Sequence, residues 1–93
     1  MDNTFKLSRD IIMSDDFLML EDNQKLLYLL YCANANEDGI IKNPYSLAKM
    51  IEATTADFNA LLENGFILND EDGFIICHWD IHQGKREYNF LED

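Results

Sequence analysis

Apolar residues recur at helical spacing over one long stretch, "EDNQKLLYLLYCA", which runs from Glu21 to about Ala33. Residues three and four positions apart share one face of an α-helix, and an apolar stripe of this kind is typical of a helix that packs on a core. We therefore predict that this segment is the core helix. Its buried face is expected to comprise Leu26, Leu29, Leu30 and Ala33, widened by Leu27 and Tyr31.

Two shorter patterns precede the core helix. Residues 1–13 contain a few apolar anchors, and we interpret them as an extended or strand-like N-terminal arm that packs on the domain. Ser14 is followed by Asp15 and Asp16, which is typical of a helix start. The Ser hydroxyl can cap free amides, and acids suit the positive end of a helix. One or two helical turns are therefore expected after Ser14.

Two further helices are marked by their first residues. The polar segment "NANEDG" ends the core helix, and the run "IIK" that follows is long enough only for a short strand. Asn43 and Pro44 predict the next helix start, because Asn is a strong cap and Pro is favoured in the first turn. Thr54 with Asp57 three residues later predicts a capping box for a third helix, which Gly65 ends.

A hairpin is predicted at the end of the apolar pattern. The runs "FIL" and "FIICHW" flank a polar turn at residues 69–73, which indicates two strands and a five-residue loop. The order helix, short strand, helix, tight turn, helix, hairpin is that of a winged helix-turn-helix. We therefore predict an α+β fold, with helices and a small antiparallel β-hairpin wing. The expected division is an N-terminal arm at 1–13, a winged-helix domain at 14–82, and the start of a C-terminal tail or linker at 83–93.

The composition restricts the class of protein. A chain of 93 residues with 47% hydrophobic residues supports one domain with a modest core. The polar N-terminus and short apolar runs predict neither a signal peptide nor a membrane span, so we expect a cytoplasmic protein. Cys32 and Cys77 lie in apolar runs, which favours buried thiols in a reducing compartment. The formal net charge of −11 favours solubility or a basic partner.

Four stretches also resemble a known family: "SDDFLML", "LLYLLYCANANEDGIIKNP", "MIEATTADFNALLENGFI" and "HWDIHQGKREY", which span about residues 14–88. The most distinctive residues of this resemblance are Asp38-Gly39, Asn43-Pro44, Gly65-Phe66-Ile67, and His78-Trp79 with His82. In these the chain resembles the N-terminal domains of phage replisome organisers and the related DnaD-like replication initiation proteins. The resemblance implies a winged-helix domain at the start of a longer protein, which binds origin DNA and helps to load the host helicase. It implies no catalysis and no cofactor.

The third helix is the candidate recognition helix. If its apolar residues face inward, Thr55 and Asn59 face outward, where they can bond base edges and phosphates. Asp57 and Glu63 are expected on the same outward face and would repel phosphate. The cations that could contact phosphate are Lys42, Lys49, Lys85 and Arg86. Four such contacts predict weak, strongly salt-dependent binding of double-stranded DNA by these residues alone. The alternative interpretation is a plain solvated helix face with scattered surface lysines.

Catalysis and metal binding have little basis in the sequence. We find no spacing of nucleophile and base, no phosphate-binding glycine loop and no metal motif, so we predict a protein that is not an enzyme. Cys77, His78 and His82 form a short cluster, but adjacent residues on a strand point to opposite faces, which argues against a shared metal. We expect Trp79 to close one edge of the core, with the two histidines hydrogen-bonded at its rim.

The acidic hairpin tip supports a second hypothesis. Asp70, Glu71 and Asp72 would repel phosphate, so a winged-helix scaffold could instead bind a basic protein or copies of itself, without direct DNA contact. The first hypothesis is a DNA-binding module of a replication initiation protein, with DNA and the replication proteins of the host as partners. Homo-oligomers are compatible with both hypotheses.

Overall fold

This computed structural model describes residues 6–71 and 73–84. These residues contain six helices and three strands. The predicted α+β class is confirmed. In chain order the elements are α1 (Arg9–Ile12), α2 (Asp15–Leu18), α3 (Asp22–Asn34), β1 (Ile40–Ile41), α4 (Pro44–Met50), α5 (Thr55–Glu63), β2 (Ile67–Asp70), β3 (Gly73–Ile76) and α6 (Trp79–His82).

Helix α3 is the core helix, as predicted, but its predicted buried face is only partly correct: Leu27 and Tyr31 are buried, and Leu29 and Leu30 are half-buried. Leu26 is 43% exposed and Ala33 is exposed, whereas the fully buried residues are Leu27, Tyr28, Tyr31 and Cys32. Because the segment is apolar almost all round, its pattern does not select one face. Tyr31 can be buried because its hydroxyl donates a hydrogen bond to the Pro44 carbonyl across 2.7 Å.

The N-terminal segment is helical where an extended arm was expected. Arg9–Ile12 form α1, so the extended prediction is wrong for these four residues, whereas residues 1–5 of the arm lie outside the described residues. The segment does pack on the domain, since Ile11 is 1% exposed in the core. The predicted cap at Ser14 is confirmed: the Phe17 amide donates to its hydroxyl across 3.3 Å.

The helices α4 and α5 begin at the predicted residues. Pro44 lies in the first turn of α4, although the Asn43 side chain makes no capping hydrogen bond. The capping box of α5 is confirmed. The Asp57 amide donates to the Thr54 hydroxyl across 3.2 Å, and the Thr54 amide donates to the Asp57 carboxylate across 3.0 Å. Four residues, 51–54, separate the two helices.

The hairpin exists, but its loop is shorter than predicted. β2 pairs with β3 as far as Asp70 and Gly73, so the strands include three of the five residues assigned to the loop. Gly73 has φ +122°, a conformation that other residues rarely adopt, and this allows the ladder to continue to the tip. The short strand β1 pairs antiparallel with the other side of β3, which gives the sheet order β1-β3-β2.

The strand predicted for "FIICHW" ends early. β3 stops at Ile76, and Trp79–His82 form the helical turn α6. In this position the Trp79 indole N–H donates a hydrogen bond to the Glu37 carbonyl across 2.9 Å. The indole also packs on Gly39, because a Cβ at residue 39 would lie only 2.6 Å from the indole Cγ. The expectation that Trp79 packs against the core is confirmed.

Candidate nucleic-acid interface

Helix α5 presents a polar exposed face. Phe58 and Leu61 are buried, as predicted, and Leu62 is half-buried. The exposed residues are Thr55, Ala56, Asn59 and Glu63. Thr55 and Asn59, the two predicted readers of base edges, are therefore both accessible to a ligand from the same helix.

Asp57 is half-buried, so it is less exposed than its predicted outward placement implied. The side-chain amide of Gln24 on α3 donates to one carboxylate oxygen of Asp57 across 3.2 Å, and the Thr54 amide donates to the other. The bond with the buried Gln24 side chain ties one carboxylate oxygen to α3, whereas the bond with Thr54 lies at the surface. The exposed residues in the first two turns of α5, which are Thr55, Ala56 and Asn59, are uncharged, and the exposed acid Glu63 lies in the last turn.

A cleft of about 360 Å³ lies beside the first turn of α5. Lys49 from α4 and Thr55 from α5 both line it, so the structure brings together two of the predicted contact residues. The exposed ring of Tyr45 packs on Phe58, with centroids 5.5 Å apart, and forms one wall. The remaining lining residues are Ala48, Glu52, Ala53 and Thr54. The cleft thus combines an aromatic wall, one cation, one acid (Glu52) and hydroxyl groups at a helix start.

The other predicted cations are less closely grouped. Lys42 is exposed between β1 and α4, and it does not line the cleft. Lys85 and Arg86 lie outside the described residues, so their positions relative to α5 stay a prediction. Lys49 is therefore the predicted phosphate contact that the structure places directly beside α5.

The hairpin tip carries negative charge at its surface. Asn69, Asp70 and Glu71 are exposed, and Asp72 lies outside the described residues. Asp70 belongs to the paired end of β2, so its backbone is held by the ladder. An acidic tip of this kind disfavours contact with a phosphate backbone.

His82 is buried, although the sequence suggested a position at the rim. It is 3% exposed, and its Nδ1 accepts a hydrogen bond from the Ser8 amide across 2.8 Å. The ring proton of the neutral imidazole therefore resides on Nε2, which donates to the Tyr28 hydroxyl across 2.6 Å. Burial, with a smaller effect from His78, lowers the pKa of His82 to about 4. No local pattern indicates this contact, because 54 residues separate Tyr28 from His82.

The cysteines are both free thiols. Cys32 is buried, which confirms the prediction for that residue, and burial raises the pKa of its thiol to about 12. Cys77 is half-buried, and burial raises the pKa of its thiol also. Over the part of the chain that the structure describes, no three His, Cys, Asp or Glu side chains form a group that would hold a metal ion.

Comparisons of the chain with protein-family models, with curated proteins and with solved structures found no match. Among residues 6–71 and 73–84, no helix has the length and apolar character required to cross a membrane.

Proposed function

We propose that this chain is a winged-helix module that binds double-stranded DNA through α5. The element order α3, β1, α4, α5, β2, β3 supports this proposal, as does the pairing of β1 with the free side of the β2-β3 hairpin. In this interpretation α4 and α5 are the helix-turn-helix pair. The second helix of such a pair enters the major groove, and its N-terminal residues contact base edges.

The observation that carries the proposal is the uncharged exposed face over the first two turns of α5. An exposed acid in this region would repel the phosphates that line the groove, and the bond from Gln24 ties one oxygen of the half-buried Asp57 carboxylate to α3. Thr55 and Asn59 then approach the bases. An Asn side chain can bond adenine with two hydrogen bonds, a contact worth about 1–3 kcal/mol of discrimination between bases.

Phosphate binding rests on a small number of cations. In the proposed complex Lys49 contacts the DNA strand that borders α5, and Lys42 contacts a DNA phosphate near the start of α4. Lys85 and Arg86 would supply the remaining contacts. Each neutralised phosphate contributes a slope of about −0.9 to the dependence of log K on log salt, so four contacts give weak binding that is highly sensitive to salt. The acidic hairpin tip points away from the DNA in this arrangement.

The role in replication rests on the family resemblance. The segments that resemble replisome organisers support a module of a replication initiation protein, which binds origin DNA and assists helicase loading together with host replication proteins. Weak binding by a single module is compatible with this role, because several linked or oligomerised modules bind DNA far more tightly than one.

The proposal is tested by titrating a labelled duplex of about 30 base pairs with the 93-residue chain, starting at about 50 mM salt, where electrostatic binding is strongest. Fluorescence anisotropy gives the affinity and its salt slope. Lys49→Gln should weaken binding and make the slope shallower by about 0.9. Lys25→Gln, which removes a cation from α3, is the matched control and should leave the slope unchanged. Absence of salt-dependent binding, or equal effects of the two variants, would overturn the proposal.

A further inference from the structure

Tyr45 is an aromatic residue that the fold holds at the surface. It lies in the first turn of α4 and is 67% exposed. Its ring centroid lies 5.5 Å from that of Phe58 on α5 and 6.1 Å from that of Phe74 on β3. Two ring contacts on different elements restrict the side chain, while most of the residue stays accessible to solvent. The exposed ring is therefore positioned before any ligand binds.

The backbone at Tyr45 is fixed from the core. The buried Tyr31 hydroxyl donates a hydrogen bond to the Pro44 carbonyl across 2.7 Å, and this carbonyl belongs to the peptide bond that leads into Tyr45. Tyr31 also packs on Phe58, with ring centroids 6.3 Å apart and ring planes at 82°. One residue of α3 thus contacts both the start of α4 and the buried side of α5. The position of Tyr45 relative to α5 is therefore set by packing in the core.

Tyr45 borders the cleft beside the first turn of α5. The cleft has a volume of about 360 Å³, and its apolar lining comprises Tyr45, Ala48, Ala53 and Phe58. Thr55, on the exposed face of α5, lines the same cleft. A ligand group that lies against the first turn of α5 can therefore also contact the Tyr45 ring.

The charges of the cleft do not favour an anion inside it. Lys49 and Glu52 both line the cleft, and their formal charges cancel. A phosphate in the cleft would be repelled by Glu52, whereas an uncharged apolar group gains contact with the aromatic and alanine side chains without an electrostatic penalty. Lys49 is exposed, so its long side chain allows the ammonium group to bind a phosphate outside the cleft. The cleft is therefore better suited to an apolar group of a ligand than to its phosphates.

We propose that the Tyr45 ring and the cleft beside it accept the 5-methyl group of a thymine. This inference rests on the proposed binding of duplex DNA through α5, and it makes Tyr45 a residue that determines specificity. The thymine methyl is an apolar group in the major groove, where apolar side chains contact it in direct readout. Asn59 lies on the same helix and can bond adenine, so both contacts favour duplexes that contain A·T pairs.

Replacing thymine by uracil tests this contact, because uracil lacks only the 5-methyl group and keeps the charge and the hydrogen-bonding groups of the base. Two labelled duplexes share one sequence of A·T pairs between short G·C ends, and they differ only in carrying thymine or uracil. Fluorescence anisotropy at about 50 mM salt gives the affinity of the 93-residue chain for each duplex. The thymine duplex should bind about threefold to fourfold more tightly, which corresponds to one buried methyl group.

Variants of Tyr45 assign this discrimination to its ring. Tyr45→Ser should weaken binding of the thymine duplex and reduce the ratio of the two affinities to about one. Tyr45→Phe removes the hydroxyl but keeps the ring, so it should keep the ratio. Met50→Ser removes a similarly exposed apolar side chain of α4 that does not line the cleft, and this matched control should also keep the ratio. Because the uracil comparison uses the unaltered chain, it can overturn the proposal even where Tyr45→Ser does not fold.

Equal affinity of the unaltered chain for the two duplexes would overturn the proposal. A ratio that survives in Tyr45→Ser, or one that Met50→Ser also abolishes, would do the same. Loss of the ratio in Tyr45→Phe would show that the hydroxyl, and not the ring, makes the contact. Absence of binding to both duplexes would overturn this proposal together with DNA binding through α5, whereas equal binding to both overturns the thymine contact alone. The two failures are therefore distinguishable.

Discussion

The side-chain amide of Gln24 on α3 donates a hydrogen bond to the Asp57 carboxylate on α5 across 3.2 Å, over a separation of 33 residues. The same Gln24 side chain accepts a hydrogen bond from the Glu21 amide across 3.1 Å at the start of α3. One buried glutamine therefore links the start of the core helix to the start of the proposed recognition helix.

Removing this link should destabilise the protein. Gln24→Ala deletes one hydrogen bond to a charged acceptor and one at a helix start, so we expect the free energy of unfolding to fall by about 1–2 kcal/mol. Asn23→Ala, at an exposed position in the same turn, is the control and should change stability little. Urea titration followed by circular dichroism measures both. A loss of equal size in the two variants would contradict the assigned role of Gln24.

Glu52 occupies a backbone conformation that favours glycine. After α4, the Ala53 amide donates to the Ala48 carbonyl and the Glu52 amide donates to the Lys49 carbonyl, which is the Schellman arrangement. The same arrangement follows α5, where Gly65 occupies the equivalent position. Glu52 has φ +58° and Gly65 has φ +78°.

Glu52→Gly should therefore raise the free energy of unfolding by about 0.5–1 kcal/mol, because glycine adopts this conformation without steric cost. Glu52→Ala is the control, since it removes the charge but keeps a Cβ, and it should not reproduce the gain. Thermal unfolding of the two variants separates the backbone effect from the charge effect. A gain of the same size with alanine would show that charge, and not conformation, limits stability at this turn.

The buried histidine predicts a dependence of stability on pH. Burial lowers the pKa of His82 to about 4, whereas the unfolded chain has the ordinary value of 6.5. The unfolded state therefore binds more protons between these values, so stability is complete above about pH 6.5 and falls as the pH is lowered toward 4. From this residue alone, we expect a loss of about 2 kcal/mol between pH 7 and pH 5.

His82→Asn is the informative variant, because asparagine does not titrate and places an acceptor close to the Nδ1 position that binds the Ser8 amide. It should flatten the dependence of stability on pH over this range. His78→Gln removes the neighbouring histidine and should keep most of the dependence. If wild type and His82→Asn lose the same stability between pH 7 and pH 5, the buried neutral state of His82 is wrong.

The acidic hairpin should oppose DNA binding and not support it. Asp70→Asn, Glu71→Gln and Asp72→Asn together remove three negative charges from the tip, so DNA affinity should rise modestly, by about twofold to threefold at low salt. A variant with Asp15→Asn and Asp16→Asn removes two acids from α2 and should raise DNA affinity less than the hairpin variant does. Duplex titrations at about 50 mM salt measure both effects. A large fall with the hairpin variant would show that the hairpin itself contacts DNA.

Local signals in the sequence predicted the local structure well. The Ser14 cap, the box formed by Thr54 and Asp57, and the glycine stop at Gly65 are each encoded within a few residues, and each is observed. Some local predictions failed, such as the extended arm at residues 9–12 and the Asn43 cap, whereas the failure in the core concerns information that is not local. The apolar pattern of α3 does not say which side meets the rest of the core, and Tyr28 is buried on a side that the spacing did not select.

The lack of long-range information in a local pattern also explains two contacts that the sequence did not predict. Thr55, Asn59 and Lys49 were predicted from their positions on amphipathic helices, and they are exposed as expected. The placement of Asp57 depends on Gln24, and the burial of His82 depends on Tyr28. Each pair is far apart in sequence and meets only after the helices have packed, so no single-segment pattern could indicate it.

Whether α5 is the DNA-binding element can be measured by the amide chemical shifts of the isotopically labelled chain during a titration with duplex DNA. If DNA binds through α5, the largest shifts should occur at Thr55, Ala56 and Asn59, with a further group around Lys49, and raising the salt concentration should reverse them. Shifts that are largest in the β2-β3 hairpin or in α1 and α2, or no shifts at about 50 mM salt, would contradict DNA binding through α5.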